Sequence, residues 1–156
     1  MKHLDPLALR AGRSRPRADA RSRMFAAVAA QEELVAAACA ATAHWVPGAE
    51  AELHALAAAH LSVATALGVK PRRWTKLFAA LRATLAAAIG TELGALTWLR
   101  RQEQLLIDCY VALEGSLALG ADERLKLRRE LVPAAFARFA RVDRWIMLRE
   151  EQGAFA

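Results

Sequence analysis

The sequence predicts an all-α fold, a bundle of two antiparallel helical hairpins joined by a crossover helix. Alanine and leucine, two of the strongest helix formers, dominate a hydrophobic fraction of 56%. No stretch sustains the alternation of apolar and polar residues that a half-buried strand requires. A chain of 156 residues is long enough for one domain with its own core. Glycines and prolines divide it into segments of helical length.

The first segment, residues 1–23, is predicted to be a disordered basic arm. It contains Pro6, Gly12 and Pro16 and almost no large apolar residue after Leu9. It carries seven basic and two acidic residues, which accounts for most of the net charge of +6. Five of its arginines could contact phosphates or an acidic partner: Arg13, Arg15, Arg17, Arg21 and Arg23. A solvated tail is the preferred interpretation, because no aromatic residues are interleaved for base stacking.

The first hairpin is predicted from two helices, over about residues 24–45 and about residues 49–67. Val46-Pro47-Gly48 forms the tight turn between them. Gly68 can end the second helix in a left-handed conformation. Because the turn is short, the two helices must be antiparallel neighbours.

The crossover helix is predicted over about residues 72–89 and is ended by Gly90. A long helix over about residues 92–119 and a last helix over about residues 122–151 form the second hairpin. Pro133 lies inside the last helix, so we expect a kink or a restart there.

Two hairpins linked by a crossover have the connectivity of ferritin-like four-helix bundles. The predicted bundle domain covers residues 24–151, and residues 152–156 form a C-terminal tail. We expect no membrane span, because no run of 18 apolar residues is free of histidine or charge. Cys39 and Cys109 form no metal or redox motif, and they are interpreted as small buried side chains in a reducing cytoplasm.

Glu32, His60 and Glu103 each interrupt an apolar helical stripe near its middle. Burying a charge costs several kcal/mol unless it is paired or bound to a metal, so these residues should have partners. Counting from the first turn places Glu32 and His60 opposite each other, and Glu103 falls near the same mid-height. Asp143 lies about one and a half turns away, on the predicted inner stripe of the last helix. The other members of that stripe are Leu125, Val132, Phe136, Phe139 and Ile146.

Two interpretations of this cluster remain open. Di-iron ferritin-like proteins take a Glu-x-x-His motif from two helices, and this sequence contains none. Arg138 stands where the fourth helix should supply a ligand. The preferred interpretation is a buried network without a cofactor, in which both glutamates pair with His60 or Arg138. The alternative is a single divalent metal ion, held by residues drawn from Glu32, His60, Glu103 and Asp143.

The run from Ala57 to Met147 resembles the small ferritin-like bundles of unknown function that are common in Gram-negative bacteria. The resemblance rests on the order and spacing of short elements, and it covers about the last two thirds of the chain. These elements are Ala57–His60, Leu67-Gly68, Pro71, Ala80-Leu81-Arg82, Leu85, Gly90, Arg101–Glu103, Tyr110, Ala112-Leu113 and Leu125–Arg144. It implies a ferritin-like fold and no particular activity.

The last two long helices each carry a second apolar stripe. Its members are Trp98, Leu105 and Cys109 on one helix, and Leu127, Leu131 and Trp145 on the other. Either the crossover helix covers both stripes, or Trp98, Leu105, Leu127, Leu131 and Trp145 contribute to an interface between copies of the chain.

No motif for nucleophilic catalysis or phosphate binding is present, so we predict a protein that is not an enzyme. The favoured function is self-association or binding to a protein partner, in the cytoplasm, around a minimal buried polar site. The first alternative is a protein that binds Fe, Mn or Zn in metal handling or oxidative stress. The second is an accessory protein whose arm binds nucleic acid or an acidic partner.

Overall fold

A computed structural model describes the backbone of residues 6–68 and 73–154 and the side chains of residues 19–68 and 92–152. All regular elements in these ranges are helices, so the prediction of an all-α bundle is confirmed. In chain order they are α1 (Pro6–Ala43), α2 (Glu50–Ala66), α3 (Arg73–Glu114), α4 (Ala121–Lys126), a π-helical turn (Leu127–Leu131) and α5 (Val132–Ala154).

Helix α1 extends through most of the segment that we expected to be a disordered arm. It begins at Pro6, where the missing N–H of proline costs nothing because a first-turn donor has no partner inside the helix. The alanines and arginines that follow are strong helix formers, and they outweigh the interior Pro16. The prediction of disorder is therefore wrong for residues 6–23.

Of the five arginines singled out in this segment, Arg21 and Arg23 lie among the described side chains and are exposed. Arg21 forms an ion pair with Glu123 at the start of α4. Its guanidinium also lies over the ring of Phe25, 5.7 Å from the centroid. Arg13, Arg15 and Arg17 lie outside the described side chains, so binding of nucleic acid or an acidic partner to this segment stays a prediction.

The first hairpin has the turn that the sequence predicts. Helix α1 ends at Ala43 and α2 begins at Glu50. Gly48 has a φ of +84°, a left-handed conformation that favours glycine. Its backbone N–H donates to the Glu50 carboxylate at 2.8 Å, while Val46 is buried beneath the turn.

Helix α3 differs from the prediction at both of its boundaries. Gly90 and Thr91 lie inside it, so the predicted helix end at Gly90 is wrong, and α3 stops at Glu114. A glycine inside a helix costs only about 1 kcal/mol relative to alanine, and strong helix formers lie nearby on both sides, in Leu85–Ala88 and Glu92-Leu93. The side chains of the predicted crossover helix lie outside the described residues, so its packing is not tested.

The expected disruption at Pro133 takes the form of the π-helical turn that precedes it. The N–H of Val132 donates to the carbonyl of Leu127, five residues earlier, and α5 starts at Val132. Proline cannot donate and crowds the carbonyl four residues before it. The wider turn accommodates this without breaking the run of helix from Ala121 to Ala154.

Helix α1 packs against α2 and α3, and α3 packs against α5. The two connecting turns lie at opposite ends of the bundle. At one end, Ser116 donates to the sulfur of Met24 at 3.2 Å. At the other end, Arg149 donates to the carbonyl of Pro47 at 2.6 Å and pairs with Glu92 at 3.2 Å. The core between these ends contains Val35, Leu53, Leu96, Leu99, Leu106, Tyr110 and Leu113.

One described segment, Asp19–Ala43 of α1, is long and apolar enough to cross a membrane by length and composition alone. The same segment supplies Val28, Val35 and Cys39 to the core. A core helix of a water-soluble bundle meets the same criteria, so the segment by itself is weak evidence for a membrane protein. Our expectation that no helix spans a membrane stays a prediction.

Candidate functional site

Glu32, His60 and Glu103 meet in the centre of the bundle. All three are fully buried, and the imidazole lies between the two carboxylates. His60 Nδ1 is 2.5 Å from Glu32 Oε2, and His60 Nε2 is 2.9 Å from Glu103 Oε1. Helices α1, α2 and α3 each supply one of these side chains, because each places it in the middle of its apolar stripe. The predicted convergence of the three residues is confirmed.

Glu32 has two further partners on its other oxygen. The hydroxyl of Tyr110 on α3 donates to Glu32 Oε1, and Arg138 Nη2 on α5 donates to the same atom at 3.2 Å. All four long helices therefore contribute to one buried cluster. The pairing of both glutamates with His60 or Arg138 that the sequence predicts agrees with these contacts.

Electrostatics favour a protonated His60. Burial alone lowers the pKa of His60, but the hydrogen bonds and charges of Glu103 and Glu32 outweigh it, and the pKa is raised from its usual value. With His60 protonated, two cations balance the two carboxylates, so the cluster is neutral as a whole. Burial and the neighbouring Glu32 raise the pKa of Tyr110, so its hydroxyl remains a donor.

Cys39 lies beside this cluster, two helical turns after Glu32 on the same face of α1. Its sulfur, a ring nitrogen of His60 and a carboxylate oxygen of Glu103 lie within 4.8 Å of one another. Burial and then the charge of Glu103 raise the pKa of the Cys39 thiol well above its usual value. The second oxygen of Glu103 is buried and has no hydrogen-bond partner among the described residues.

Asp143, the fourth predicted ligand, is not part of the cluster. Its carboxylate pairs with Arg100 at 2.7 Å, and its side chain is 37% exposed. Asp143 follows Arg138 by five residues, which turns it about 140° around the helix axis. Since Arg138 faces the cluster, Asp143 must face the edge of the α3–α5 contact. The prediction that Asp143 joins Glu32, His60 and Glu103 in one site is therefore wrong.

The five apolar residues predicted for an interface do not form one exposed patch. Leu127 is 1% exposed and belongs to the core. Trp98, Leu131 and Trp145 are partly buried and pack against the core. Leu105 alone is well exposed, at 44%. Leu127 lies in the π-helical turn, which changes the angular position of side chains relative to a regular helix, so a stripe counted at α-helical spacing is out of phase there.

The outer face of α5 exposes apolar side chains that sequence reasoning did not assign to an interface. Phe136 is 50% exposed and Met147 is 56% exposed. They are 11 residues apart, which is about three helical turns, so they lie on one face with the exposed Ala140 between them. Phe136 had been assigned to the inner stripe of the last helix, from a phase that ignored the π-helical turn.

Tyr110 and Cys39 are core residues, but sequence reasoning missed that both also lie at the buried cluster. A usable signal existed for both. Tyr110 is seven residues after Glu103 and Cys39 is seven after Glu32, so each shares a helix face with a buried carboxylate. A hydroxyl or a thiol at that spacing is a candidate partner for the charge as well as a packing group.

Comparison of the chain with protein-family models, curated proteins and solved structures finds no match. Its function must therefore be argued from the contacts of its own residues.

Proposed function

We propose that this chain is a non-enzymatic ferritin-like bundle that acts by associating with a second copy of itself through the outer face of α5. The observation that carries the proposal is the pair of adjacent, half-exposed apolar residues on that face, Met147 and Leu148. Exposed apolar strips on a small protein indicate association. The buried cluster then has a structural role, which is to hold the four long helices in one register.

The positions of the helix ends support a ferritin-like connectivity. Leu67, at the end of α2, lines the same cleft as Phe25 near the Ser116 end of the bundle. Glu92 lies at the opposite end, where it shares Arg149 with the Pro47 turn. The chain between the two hairpins therefore connects opposite ends of the bundle, as the crossover of a ferritin-like fold does.

The closed nature of the cluster supports a protein that is not an enzyme. Glu32, His60 and Glu103 are all 0% exposed. A catalytic acid or base must come within hydrogen-bond reach of the proton that it transfers. None of these side chains reaches the surface, and Arg138, which is 11% exposed, is held by Glu32.

Charge on α5 indicates how two copies would pair. Arg144 and Glu151 are both exposed and lie seven residues apart, so they flank the same side of the apolar strip. Met147 and Leu148 lie midway between them. In a two-fold antiparallel pairing centred there, Arg144 of each copy faces Glu151 of the other. Met147 and Leu148, which are 56% and 45% exposed, then fill the centre of the contact.

The test is the mass of the full chain in solution, by light scattering, for a set of charge variants. Wild type is expected to be a dimer, and R144E and M147E are expected to be monomers. The double variant R144E/E151R should dimerise again, because each ion pair is restored with reversed signs. R101E, at an exposed arginine of α3, is the matched control and should remain a dimer. A monomeric wild type, or a double variant no better than R144E, would overturn the proposal.

A further inference from the structure

We propose that Cys39, His60 and Glu103 form a closed site for one thiophilic divalent ion, of which Zn²⁺ is the representative. This proposal goes beyond self-association and does not depend on it. It also differs from the metal site expected from the sequence, because Cys39 enters the ligand set and Asp143 leaves it. Glu32 becomes a residue that positions a ligand.

The ligand atoms are already close to the spacing that such an ion needs. The three candidate atoms lie within 4.8 Å of one another, on α1, α2 and α3. Atoms around a tetrahedral zinc ion are about 2.0–2.3 Å from the metal, and hence about 3.3–3.8 Å from one another. Small side-chain adjustments would close that difference without moving a helix.

The second carboxylate oxygen of Glu103 is an independent indication that this site takes an ion. Glu103 Oε1 accepts from His60, but Glu103 Oε2 is buried without a partner in the described part of the chain. A buried carboxylate oxygen without a hydrogen bond costs free energy, and such an atom calls for an explanation such as an ion. An ion between Glu103 and Cys39 would satisfy it.

The contacts of His60 match those of a metal-binding histidine. A ligating imidazole usually donates its other ring N–H to a carboxylate, which fixes the tautomer and the ring orientation. Glu32 is placed to accept from Nδ1, at 2.5 Å. Tyr110 and Arg138 in turn hold the other oxygen of Glu32. Nε2, which faces Glu103, is then the nitrogen available to the ion.

The charges also balance when the ion is bound. The Cys39 thiol and the Nε2 position of His60 each release one proton to solvent. The thiolate and the Glu103 carboxylate then neutralise the divalent ion. Arg138 does not oppose binding, because its charge is balanced by Glu32, to which it donates at 3.2 Å.

The ligand types select the class of ion. Thiolate and imidazole ligands favour zinc and similar borderline ions, whereas Mg²⁺, Ca²⁺ and Mn²⁺ prefer sites built from oxygen atoms. Because Cys39, His60 and Glu103 are all 0% exposed, the ion has no access to substrate. Its role would be structural, since it would tie α1, α2 and α3 together, and chelators should remove it only slowly.

The test uses the full chain, stripped of metal under denaturing conditions, refolded, and titrated with Co²⁺ and then Zn²⁺. One Co²⁺ per chain is expected, with the near-ultraviolet absorption of a cobalt–thiolate bond, and Zn²⁺ should displace it. C39A should abolish this absorption and weaken Zn²⁺ binding by at least about 100-fold, the upper range for loss of an outer-shell partner. Far-ultraviolet circular dichroism checks that C39A remains folded.

Matched variants on the same helices separate this site from adventitious binding. C109A removes the other thiol, and H54Q removes an exposed histidine on α2, so both should bind Co²⁺ as wild type does. H60Q and E103Q should lose binding. Absence of Co²⁺ binding, retention of the thiolate absorption in C39A, or its loss in C109A would each overturn the proposal. None of these outcomes bears on dimerisation, which is measured separately by mass.

Discussion

Glu32 and Glu103 are two fully buried carboxylates on opposite sides of one imidazole, yet their surroundings differ. Glu32 accepts from His60, Tyr110 and Arg138, so side chains of α2, α3 and α5 all converge on it. Glu103 accepts from His60 alone, and its second oxygen has no partner among the described residues. Equal burial therefore does not mean an equal role.

The difference follows from which helices each carboxylate faces. Glu32 lies on α1 where it can reach both α3 and α5, and a positive charge from α5 is available there. Glu103 faces His60 on α2 and lies close to the Cys39 thiol, which is a weak hydrogen-bond donor. At one end of the cluster both oxygens of Glu32 accept hydrogen bonds, and the other end, around Glu103, is where we propose that an ion binds.

The largest expected effect is on the stability of the metal-free protein when each carboxylate is made neutral. E32Q leaves Arg138 and His60 as buried cations without their main counter-ion, and we expect it to lower the free energy of unfolding by about 3–5 kcal/mol. E103Q leaves His60 paired with Glu32, and we expect a loss of about 1–3 kcal/mol. Urea denaturation in the presence of a chelator measures both values.

The control for this comparison is E52Q, at an exposed glutamate of α2, which should change stability by less than about 0.5 kcal/mol. Equal losses of unfolding free energy for E32Q and E103Q would contradict this distinction, in which both oxygens of Glu32 accept hydrogen bonds and only one oxygen of Glu103 does.

A smaller effect is expected from Arg138, the partner that distinguishes Glu32 from Glu103. R138M removes one charge-assisted hydrogen bond and should cost about 1.5–3 kcal/mol, while R141M, at an exposed arginine one turn further along, should be nearly neutral. In double-mutant cycles by urea denaturation, R138M should couple to E32Q and much less to E103Q. If these cycles give equal coupling energies between Arg138 and each carboxylate, the Glu32 and Glu103 ends of the cluster are not energetically separate.

The smallest effect is a gradual dependence of stability on pH. Although burial alone lowers the pKa of His60, Glu103 and Glu32 raise it above its usual value. A group whose pKa is raised on folding adds stability below its unfolded pKa of about 6.5, and this stability is lost as pH rises through the folded pKa. Stability of the metal-free protein should therefore fall as the pH rises above about 6.5.

Denaturation curves of wild type and H60Q, measured at several pH values above about 6.5, test this dependence of stability on pH. H60Q should flatten it, whereas H54Q, on the exposed side of α2, should leave it unchanged. Cys39 and Tyr110, whose pKa values are both raised, ionise only at higher pH. An equally steep slope in H60Q would assign the pH dependence to other groups.

Helical periodicity was sufficient to find the centre of the cluster. Glu32, His60 and Glu103 each interrupt a stripe, and counting residues from a tight turn places Glu32 beside His60 at 1.5 Å per residue. Arg138 was found in the same way, by counting across the second hairpin. These steps succeed because rise and rotation are constant along a regular helix.

The failures lie where that regularity ends or where competing local signals are nearly equal. The π-helical turn before Pro133 changes the phase of the last helix, so Leu127 turns inward and Phe136 outward, against the prediction. Pro6 and Gly90 were interpreted as breaks, yet one starts α1 and the other lies within α3. Proline costs nothing at the first position of a helix, and around Gly90 the surrounding helix formers outweigh a cost of about 1 kcal/mol.

The sequence by itself determined that this protein is helical and that three charged side chains face its core. Both are properties of spacing along a single helix, which local geometry sets. Only the tertiary structure decided that Glu32 meets Arg138 and Tyr110, that Cys39 approaches Glu103, and that Asp143 turns away to Arg100. Those outcomes depend on the distance and rotation between helices, which are set by how all the side chains of the core pack together.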